Sequence, residues 1–208
     1  MKLYILIPII LYLLFGCSRG YIIENGYKMP AKIDTSDITI GKILKKDKDE
    51  LSKGIIVIDS VIDARVAKET NLKLKYLDGK VSRIKLIVST RGGWLKDTFN
   101  IIDTINSIST PVDIYAKGLC QSAGVVLLIN ASGKRYAYSN STIVAHFNRP
   151  INPEPNTQAY FDNIKFTNMW REKTNIPNSW YPLSGNRLIR LTPQEAKKYG
   201  IIDEIIKE

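Results

Sequence analysis

The sequence predicts an α/β fold in which a mostly parallel sheet is flanked by helices. Two observations predict it: short β-branched runs alternate with segments of helical period, and glycine-rich loops follow the strands. Strand, helix, strand, helix, strand at this spacing favours right-handed crossovers between parallel strands. Ligands and catalytic groups in such sheets gather at the carboxyl ends of the strands, so we look for the functional site there.

The alternation begins at Gly54 with the run GIIVIDSV, which is typical of a buried strand. A helix is predicted over residues 63–77, where apolar residues recur with a helical period. The run SRIKLIVST predicts the second strand, ending at Thr90. A second amphipathic helix is predicted over residues 95–108, and the strand VDIYAKG then leads to Ser122.

The first residues have the features of a bacterial signal peptide. Lys2 precedes an uncharged apolar run over residues 3–15, which is shorter than the roughly 20 residues that a spanning helix needs. The ending Leu-Phe-Gly-Cys resembles the lipoprotein box, in which the thiol of Cys17 is acylated and becomes the mature N-terminus. We therefore expect a lipid anchor in the cell envelope, facing the periplasm or the cell exterior. An ordinary cleaved secretory signal, with Cys17 incidental, is the alternative.

Three segments are predicted: a signal peptide (1–16), a polar membrane tether (17–52) and a folded domain (53–208). The net charge is +10, but no basic stripe is interleaved with stacking aromatics, so we expect no nucleic-acid partner. We interpret the charge as a solvated surface near anionic envelope lipids. Acylation of Cys17 would leave Cys120 as the only thiol, so no intrachain disulfide is expected.

Two loops are candidates for the functional site: STRGGW after one strand and GLCQSAG after the next. Glycines let backbone N–H groups face a ligand, and a helix N-terminus adds unpaired donors, which is how an oxyanion hole is built. Each loop alone is a weak signal. Each feature also has a purely structural interpretation. The glycines are compatible with an ordinary turn, Ser122 with a helix N-cap, and His146, the single histidine, with a position in the core.

Together, the two loops and the segment GKRYAYSNSTIVAH (133–146) resemble the proteolytic subunit of the Clp protease, which shares its fold with crotonases. In that family a strand ends in Ser-Pro-Gly-Gly, and a small-residue loop holds the nucleophilic serine. A Gly-Lys-Arg turn and an Asn-Ser pair then precede the strand that ends in the catalytic histidine. The segment LTPQEAKKYGIIDEII resembles the family's last helix and strand. The resemblance covers about residues 54–206 and implies repeated β-β-α units.

The resemblance implies a serine endopeptidase in which Ser122 is the nucleophile and His146 is its general base. It also implies that the backbone N–H groups of Gly93 and Ala123 form the oxyanion hole. The thiol of Cys120 is expected to be structural and buried, because no second histidine exists to activate it.

The sequence departs from the family at two positions. Arg91 replaces the proline of the first loop and carries a charge near the substrate groove. An ungapped match places Leu188 where the family has the aspartate that orients the histidine. Asn186 is the nearest polar candidate for that orienting role, and Asp162, on the intervening helix, is the alternative.

Partners follow from the same resemblance. The family assembles into rings, so we expect a homo-oligomer that acts on peptides or unfolded proteins. A cytosolic ATP-driven unfoldase cannot reach a lipid-anchored protein outside the cytoplasm, and no P-loop is present. We expect no ATP, no cofactor and no metal. Two other functions stay open: a catalytically weak or inactive relative that binds extended peptide by strand addition, and an acyl-CoA enzyme of the crotonase type, which is usually larger and cytosolic.

Overall fold

The computed structural model describes residues 21–24, 27–30, 34–149, 157–181 and 185–207. The chain divides into two compact units, Met1–Ile33 and Asp34–Glu208. In the first unit, strands β1 (Tyr21–Glu24) and β2 (Tyr27–Pro30) pair antiparallel. The predicted signal peptide, with Cys17 directly after it, lies outside the described residues.

Residues 34–52 fold into the second unit, which corrects the prediction of a tether up to residue 52. They form two short helices, α1 (Ile40–Lys46) and α2 (Lys48–Ser52). Ile43 and Leu51 are buried in the common core. Each helix is less than about two turns long and buries a single side chain, so the sequence shows no helical period there.

The alternation predicted from residue 54 onward is confirmed. The elements in order are β3 (Ile55–Ile58), α3 (Ala64–Leu77), β4 (Ile84–Thr90), α4 (Leu95–Ser107) and β5 (Val112–Gln121). The carboxylate of Asp63 caps α3 by accepting the N–H groups of Arg65 and Val66 at 3.0 Å. Because that cap fixes where α3 begins, the loop between β3 and α3 is short.

The second half of the domain contains two more helix and strand sets around a two-stranded ribbon. Its elements are α5 (Ala123–Ile129), β6 (Arg135–Tyr138), β7 (Thr142–Arg149), α6 (Gln158–Lys173), β8 (Gly185–Leu191), α7 (Pro193–Lys198) and β9 (Glu204–Ile206). A capping box at Thr192 and Glu195 begins α7. The last helix and strand expected from the sequence are therefore present.

One sheet of seven strands organises the domain, in the order β3-β4-β5-β6-β9, with β7 pairing both β5 and β8. Every pairing in it is parallel except β7 with β8. The fold class predicted from the sequence is confirmed. Residues 114–116 of β5 pair with β6 and residues 119–121 pair with β7. Beyond its pairing with β5, the strand β7 therefore extends past the other parallel strands and forms a two-stranded ribbon with β8.

The core lies where helices cover one face of the sheet. Alternate residues of β4 are buried on that face: Ile84, Leu86, Val88 and Thr90. The helix α5 is buried along its whole length, so it occupies the centre of the domain. Within the described ranges, no helix is long and apolar enough to cross a bilayer, and no group of three or more acidic, His or Cys side chains is arranged to hold a metal ion.

Candidate active site

Ser122 occupies a strained turn between β5 and α5. Its φ of 54° and ψ of −119° lie in a region that side chains rarely adopt, and no other non-glycine residue in the described part of the chain has a positive φ. Its N–H donates to the carbonyl of Val144, and its carbonyl accepts the N–H of Val125, both at 2.9 Å. These bonds hold a backbone conformation that costs about 1–3 kcal/mol. A strained strand-to-helix turn is how α/β-hydrolases expose a nucleophilic serine.

The pairing of β5 with β7 brings His146 to this serine. Gln121 lies opposite Val144 in that parallel pair, so His146 is two residues further along β7. The Oγ of Ser122 and the Nδ1 of His146 are 3.2 Å apart. With the ring proton on Nε2, Nδ1 accepts the hydroxyl hydrogen, so the ring is placed to remove it as Oγ attacks. The fold thus joins the two residues that the sequence predicts as nucleophile and base.

Aromatic packing supports the histidine from the other face of β7. Phe147 is almost fully buried, and its ring centroid lies 5.0 Å from that of Trp170 and 5.3 Å from that of Tyr181. Successive residues of a strand point to opposite faces. The packing of Phe147 therefore fixes the strand while leaving His146 on the face that Ser122 occupies. The strand continues to Arg149 rather than ending at the histidine, because β8 pairs along it.

The loop after β4 is folded against Ser122. Gly92 has a φ of +104°, and a Cβ there would lie 2.8 Å from the Cβ of Ser122. The hydroxyl of Thr90 accepts the N–H of Gly92 at 3.0 Å and donates to the carbonyl of Ser60 at 2.6 Å. Thr90 is a supporting residue that the sequence analysis missed. The sequence feature that could have identified Thr90 is its position as the last strand residue before Arg-Gly-Gly.

Gly93 forms a parallel bridge with Ile62. The N–H of Ile62 donates to the carbonyl of Gly92, and the N–H of Trp94 donates to the carbonyl of Ile62, each at 2.9 Å. Because successive N–H groups of an extended segment point in opposite directions, the N–H of Gly93 points away from Ile62. A Cβ on Gly93 would lie 2.0 Å from the carbonyl oxygen of Ile62. Only glycine fits this approach of the two backbones.

The predicted oxyanion hole would combine the N–H groups of Gly93 and Ala123. Ala123 is the first residue of α5, where N–H groups have no partner within the helix. Its nitrogen lies 3.0 Å from the place that a Cβ of Gly92 would take. The two loops are therefore in contact next to Ser122. The assignment of Gly93 and Ala123 as oxyanion donors stays a prediction that this contact favours.

Leu188 lies directly opposite His146 on β8. Paired residues of an antiparallel ladder project to the same face with their Cβ atoms about 4.5–5.5 Å apart, and Leu188 is 49% exposed. This is the position that the ungapped match gives to the family's aspartate. Within the described part of the chain, the ring of His146 hydrogen-bonds with Ser122 alone. A leucine therefore stands where a carboxylate would support the imidazolium.

Asn186, the predicted orienting residue, lies opposite Asn148 and not opposite His146. It is a diagonal neighbour of the histidine, which corresponds to a separation of about 7–8 Å. The side chains of Asn186 and of Asp162, in α6, lie outside the described residues. The roles of these two residues stay predictions.

Cys120 is fully buried in β5, two residues before the serine. Burial raises the pKa of its thiol to about 12, so the thiol carries its proton at neutral pH and is a poor nucleophile. A Cβ on Gly124 would lie 3.4 Å from its Sγ, which places the thiol against the first turn of α5. The prediction that Cys120 is buried is confirmed, and its purely structural role stays a prediction.

Comparisons with known proteins place the sequence in a family. Residues 43–208 match the profile of the Clp protease family. The chain is 29% identical over 182 residues to the ATP-dependent Clp protease proteolytic subunit 1 of Rhodopirellula baltica, an alignment that covers 81% of this chain and 76% of that protein. It is 28% identical over 173 residues to the protein of the same name from Bacillus cereus, with 76% and 87% covered.

Solved structures show the same fold. An asparagine-to-aspartate mutant of ClpP1 from Listeria monocytogenes superimposes with a TM-score of 0.67 at 20% sequence identity. The match covers 78% of this chain and 96% of that one. At this identity the likeness concerns the fold alone.

Proposed function

This chain belongs to the Clp protease family, and we propose that it is a membrane-anchored serine endopeptidase that hydrolyses peptides or unfolded envelope proteins. One observation carries the proposal: the Oγ of the strained Ser122 lies 3.2 Å from the Nδ1 of His146. A serine that only begins a helix accepts a hydrogen bond from the first turn. The side chain of Ser122 makes no such capping bond, so helix capping does not explain it.

The first half of the proposed reaction forms an acyl-enzyme. The Oγ of Ser122 bonds to the carbonyl carbon of the peptide while its proton moves to His146. The carbonyl oxygen becomes an oxyanion, which the N–H groups of Gly93 and Ala123 stabilise. When the C–N bond breaks, the leaving amine takes the proton from His146.

The second half releases the acyl group. A water molecule gives one proton to His146 as its oxygen bonds to the acyl carbon, and the oxyanion forms in the same place. Collapse of the intermediate returns the proton to the Oγ of Ser122. The product is a carboxylic acid, and the enzyme is restored without any cofactor.

Labelling with a fluorophosphonate probe tests the assignment of the nucleophile. We expect covalent labelling of the protein and its complete loss in Ser122→Ala. Cys120→Ala is the matched control, since it removes a buried neighbour and should label normally. Labelling that survives Ser122→Ala but disappears in Cys120→Ala would contradict the assignment.

We also propose that acylated Cys17 anchors the protein to the envelope membrane. The support for this proposal is the Leu-Phe-Gly-Cys ending that follows a short apolar run. Two or more acyl chains bind a bilayer stably, whereas one binds only marginally. Cells fed a palmitate analogue should label the protein but not Cys17→Ser. A Cys17→Ser protein that still fractionates wholly with membranes would refute the anchor.

A second candidate function is that of a catalytically weak or inactive relative that binds extended peptide. The observation in its favour is Leu188, which faces His146 in place of a carboxylate. The same probe separates the two functions, since an inactive relative would bind peptide without reacting with fluorophosphonate. The bound peptide would add as an extra strand to a free edge of the sheet through backbone hydrogen bonds.

We further propose that the protein is a homo-oligomer, in support of which two relatives that it matches bear the name of a proteolytic subunit. Light scattering coupled to gel filtration should give a mass that is a multiple of the single chain, which is 23.5 kDa before the proposed signal peptide is removed. The mass of one chain would refute the oligomer without touching the proposed chemistry.

A further inference from the structure

We propose that the active-site groove selects peptides with an acidic residue beside the scissile bond, and that Arg91 and Arg190 make the selection. The active-site groove is the surface around Ser122 between residues 91–93 and Leu188. This inference rests on the proposed peptide-binding function of that surface. It names two specificity residues and a substrate class.

Arg91 stands at the oxyanion side of the groove. It is exposed and directly precedes Gly92, whose Cβ position lies 2.8 Å from Ser122. No carboxylate lies within 4 Å of its guanidinium among the residues that the structure describes. Its charge is therefore available to a bound ligand. Since an extended peptide advances about 3.3 Å per residue, this charge lies within reach of the residues next to the bond that Ser122 attacks.

Arg190 stands at the histidine side. It pairs with Val144, whose carbonyl accepts the N–H of Ser122, and it is a diagonal neighbour of His146. Alternation along β8 puts Arg190 on the same face as Leu188. It too is exposed and without a carboxylate partner in the described part of the chain. Arg91 lies in the loop after β4 and Arg190 lies on β8, so the two residues stand on opposite sides of the end of β5, which leads to Ser122.

Two acidic residues that lie near the loop, Asp63 and Asp97, are at least partly buried. Asp63 is 6% exposed, and its carboxylate accepts the two amide N–H groups that begin α3. Burial, followed by the nearby charge of Asp63, raises the pKa of Asp97 in the first turn of α4. Asp63 directly follows Ile62, to which the loop bridges, whereas the N–H of Gly93 points away from that bridge.

A guanidinium recognises a carboxylate through parallel N–H···O bonds as well as through charge. An exposed pair of this kind changes affinity about two- to fivefold. We therefore expect a graded preference and not an absolute one. Because both arginines are exposed, raising the ionic strength should weaken the preference.

Fluorogenic peptides that differ at one residue beside the cleaved bond test the proposal, with Glu, Gln and Lys compared in one sequence. For the unmodified full chain, kcat/KM should fall in the order Glu, Gln, Lys. Each of Arg91→Gln and Arg190→Gln should lower the Glu-to-Gln ratio about two- to fivefold. Arg91→Lys should keep most of the preference, because it keeps the charge.

Arg187→Gln is the matched control. It removes the same charge from the neighbouring position of Leu188, but on the opposite face of β8, where Arg187 donates to the carbonyl of Ser179. Its Glu-to-Gln ratio should equal that of the unmodified protein. An equal fall in this control would show that overall charge sets the preference, which overturns the assignment to the two arginines.

A binding measurement keeps this inference separate from the proposed peptidase. Dye-labelled Glu, Gln and Lys peptides are titrated against Ser122→Ala, and anisotropy reports their affinity. If hydrolysis is absent but Ser122→Ala binds the Glu peptide most tightly and Arg91→Gln removes that difference, the peptidase proposal fails and the acidic preference stands. Equal affinity for all three peptides, or no binding, would overturn the acidic preference whatever the fluorophosphonate probe shows.

Discussion

The serine half and the histidine half of the candidate active site differ in what the fold uses to build them. Backbone groups of the central sheet build the serine half: the turn at Ser122, the positive φ of Gly92 and the bridge of Gly93 to Ile62. The histidine half depends on side chains of the β7–β8 ribbon, which extends from the sheet and carries the exposed Leu188 opposite His146.

This difference indicates which residues of such a site can be substituted without disturbing the fold. A change at Gly92 or Gly93 forces backbones together, so it disturbs the sheet as well as the chemistry. A change at residue 188 alters one exposed side chain on a ribbon, so the fold tolerates either a carboxylate or a leucine there. We therefore expect loss of the acid to lower turnover while Ser122 keeps its geometry.

The largest expected effect is a gain of activity in Leu188→Asp. The new carboxylate would accept the hydrogen of the ring nitrogen that faces away from Ser122, and would stabilise the imidazolium. Loss of the carboxylate from a full triad lowers turnover about 10⁴-fold, so restoring it should raise kcat by up to about the same factor. Leu188→Asn is the matched control, with the same shape but no charge. Equal rates for the two variants, measured as peptide hydrolysis, would remove the missing acid as the cause.

A loss of about 100- to 1000-fold in kcat is expected for Gly93→Ala, the size of losing one oxyanion donor. The new Cβ would lie 2.0 Å from the carbonyl oxygen of Ile62, so the loop must shift and its N–H with it. Gly41→Ala is the control, because a Cβ there meets nothing within 4 Å. Normal turnover in Gly93→Ala would show that this N–H is not an oxyanion donor.

A smaller effect is expected in Asn186→Ala if the amide orients His146. Loss of one net hydrogen bond of about 1 kcal/mol corresponds to about a fivefold fall in kcat, and Asn186→Asp should restore or exceed the original rate. Steady-state hydrolysis of one peptide measures both. An unchanged rate in Asn186→Ala, together with an inactive Asp162→Ala, would move the third member to α6.

The smallest effect on catalysis is expected in Cys120→Ala. The buried side chain contacts the start of α5, so its loss should cost about 1 kcal/mol of the free energy of unfolding, measured in urea. Turnover should not change. In Cys17→Ser, where Cys120 is the only thiol, iodoacetamide should react at pH 8 only after unfolding, because burial raises the pKa of this thiol to about 12. Rapid alkylation of the folded protein would contradict its burial.

Much of the fold was predictable because periodicity is a local property. The strands and helices from Ile55 to Gln121 each repeat their apolar residues at the spacing of their structure, so each shows its type in the sequence. The helices α1 and α2 escaped prediction because they bury one residue apiece, Ile43 and Leu51. Thr90 escaped for a different reason: its hydroxyl donates to the carbonyl of Ser60, which meets it only in the folded chain.

By itself, the sequence determined the candidate serine, the candidate histidine and the two glycine loops, since residue type and order suffice to mark them. It also determined that no carboxylate occupies position 188. Only the tertiary structure decided that Ser122 and His146, 24 positions apart, come within 3.2 Å, and that Leu188 is the residue that faces the histidine. The physical reason is register: a one-residue shift between paired strands would turn every side chain to the other face. That register is fixed by the burial of Ile143, Ala145 and Phe147 on one face of β7, against residues that are distant in the sequence.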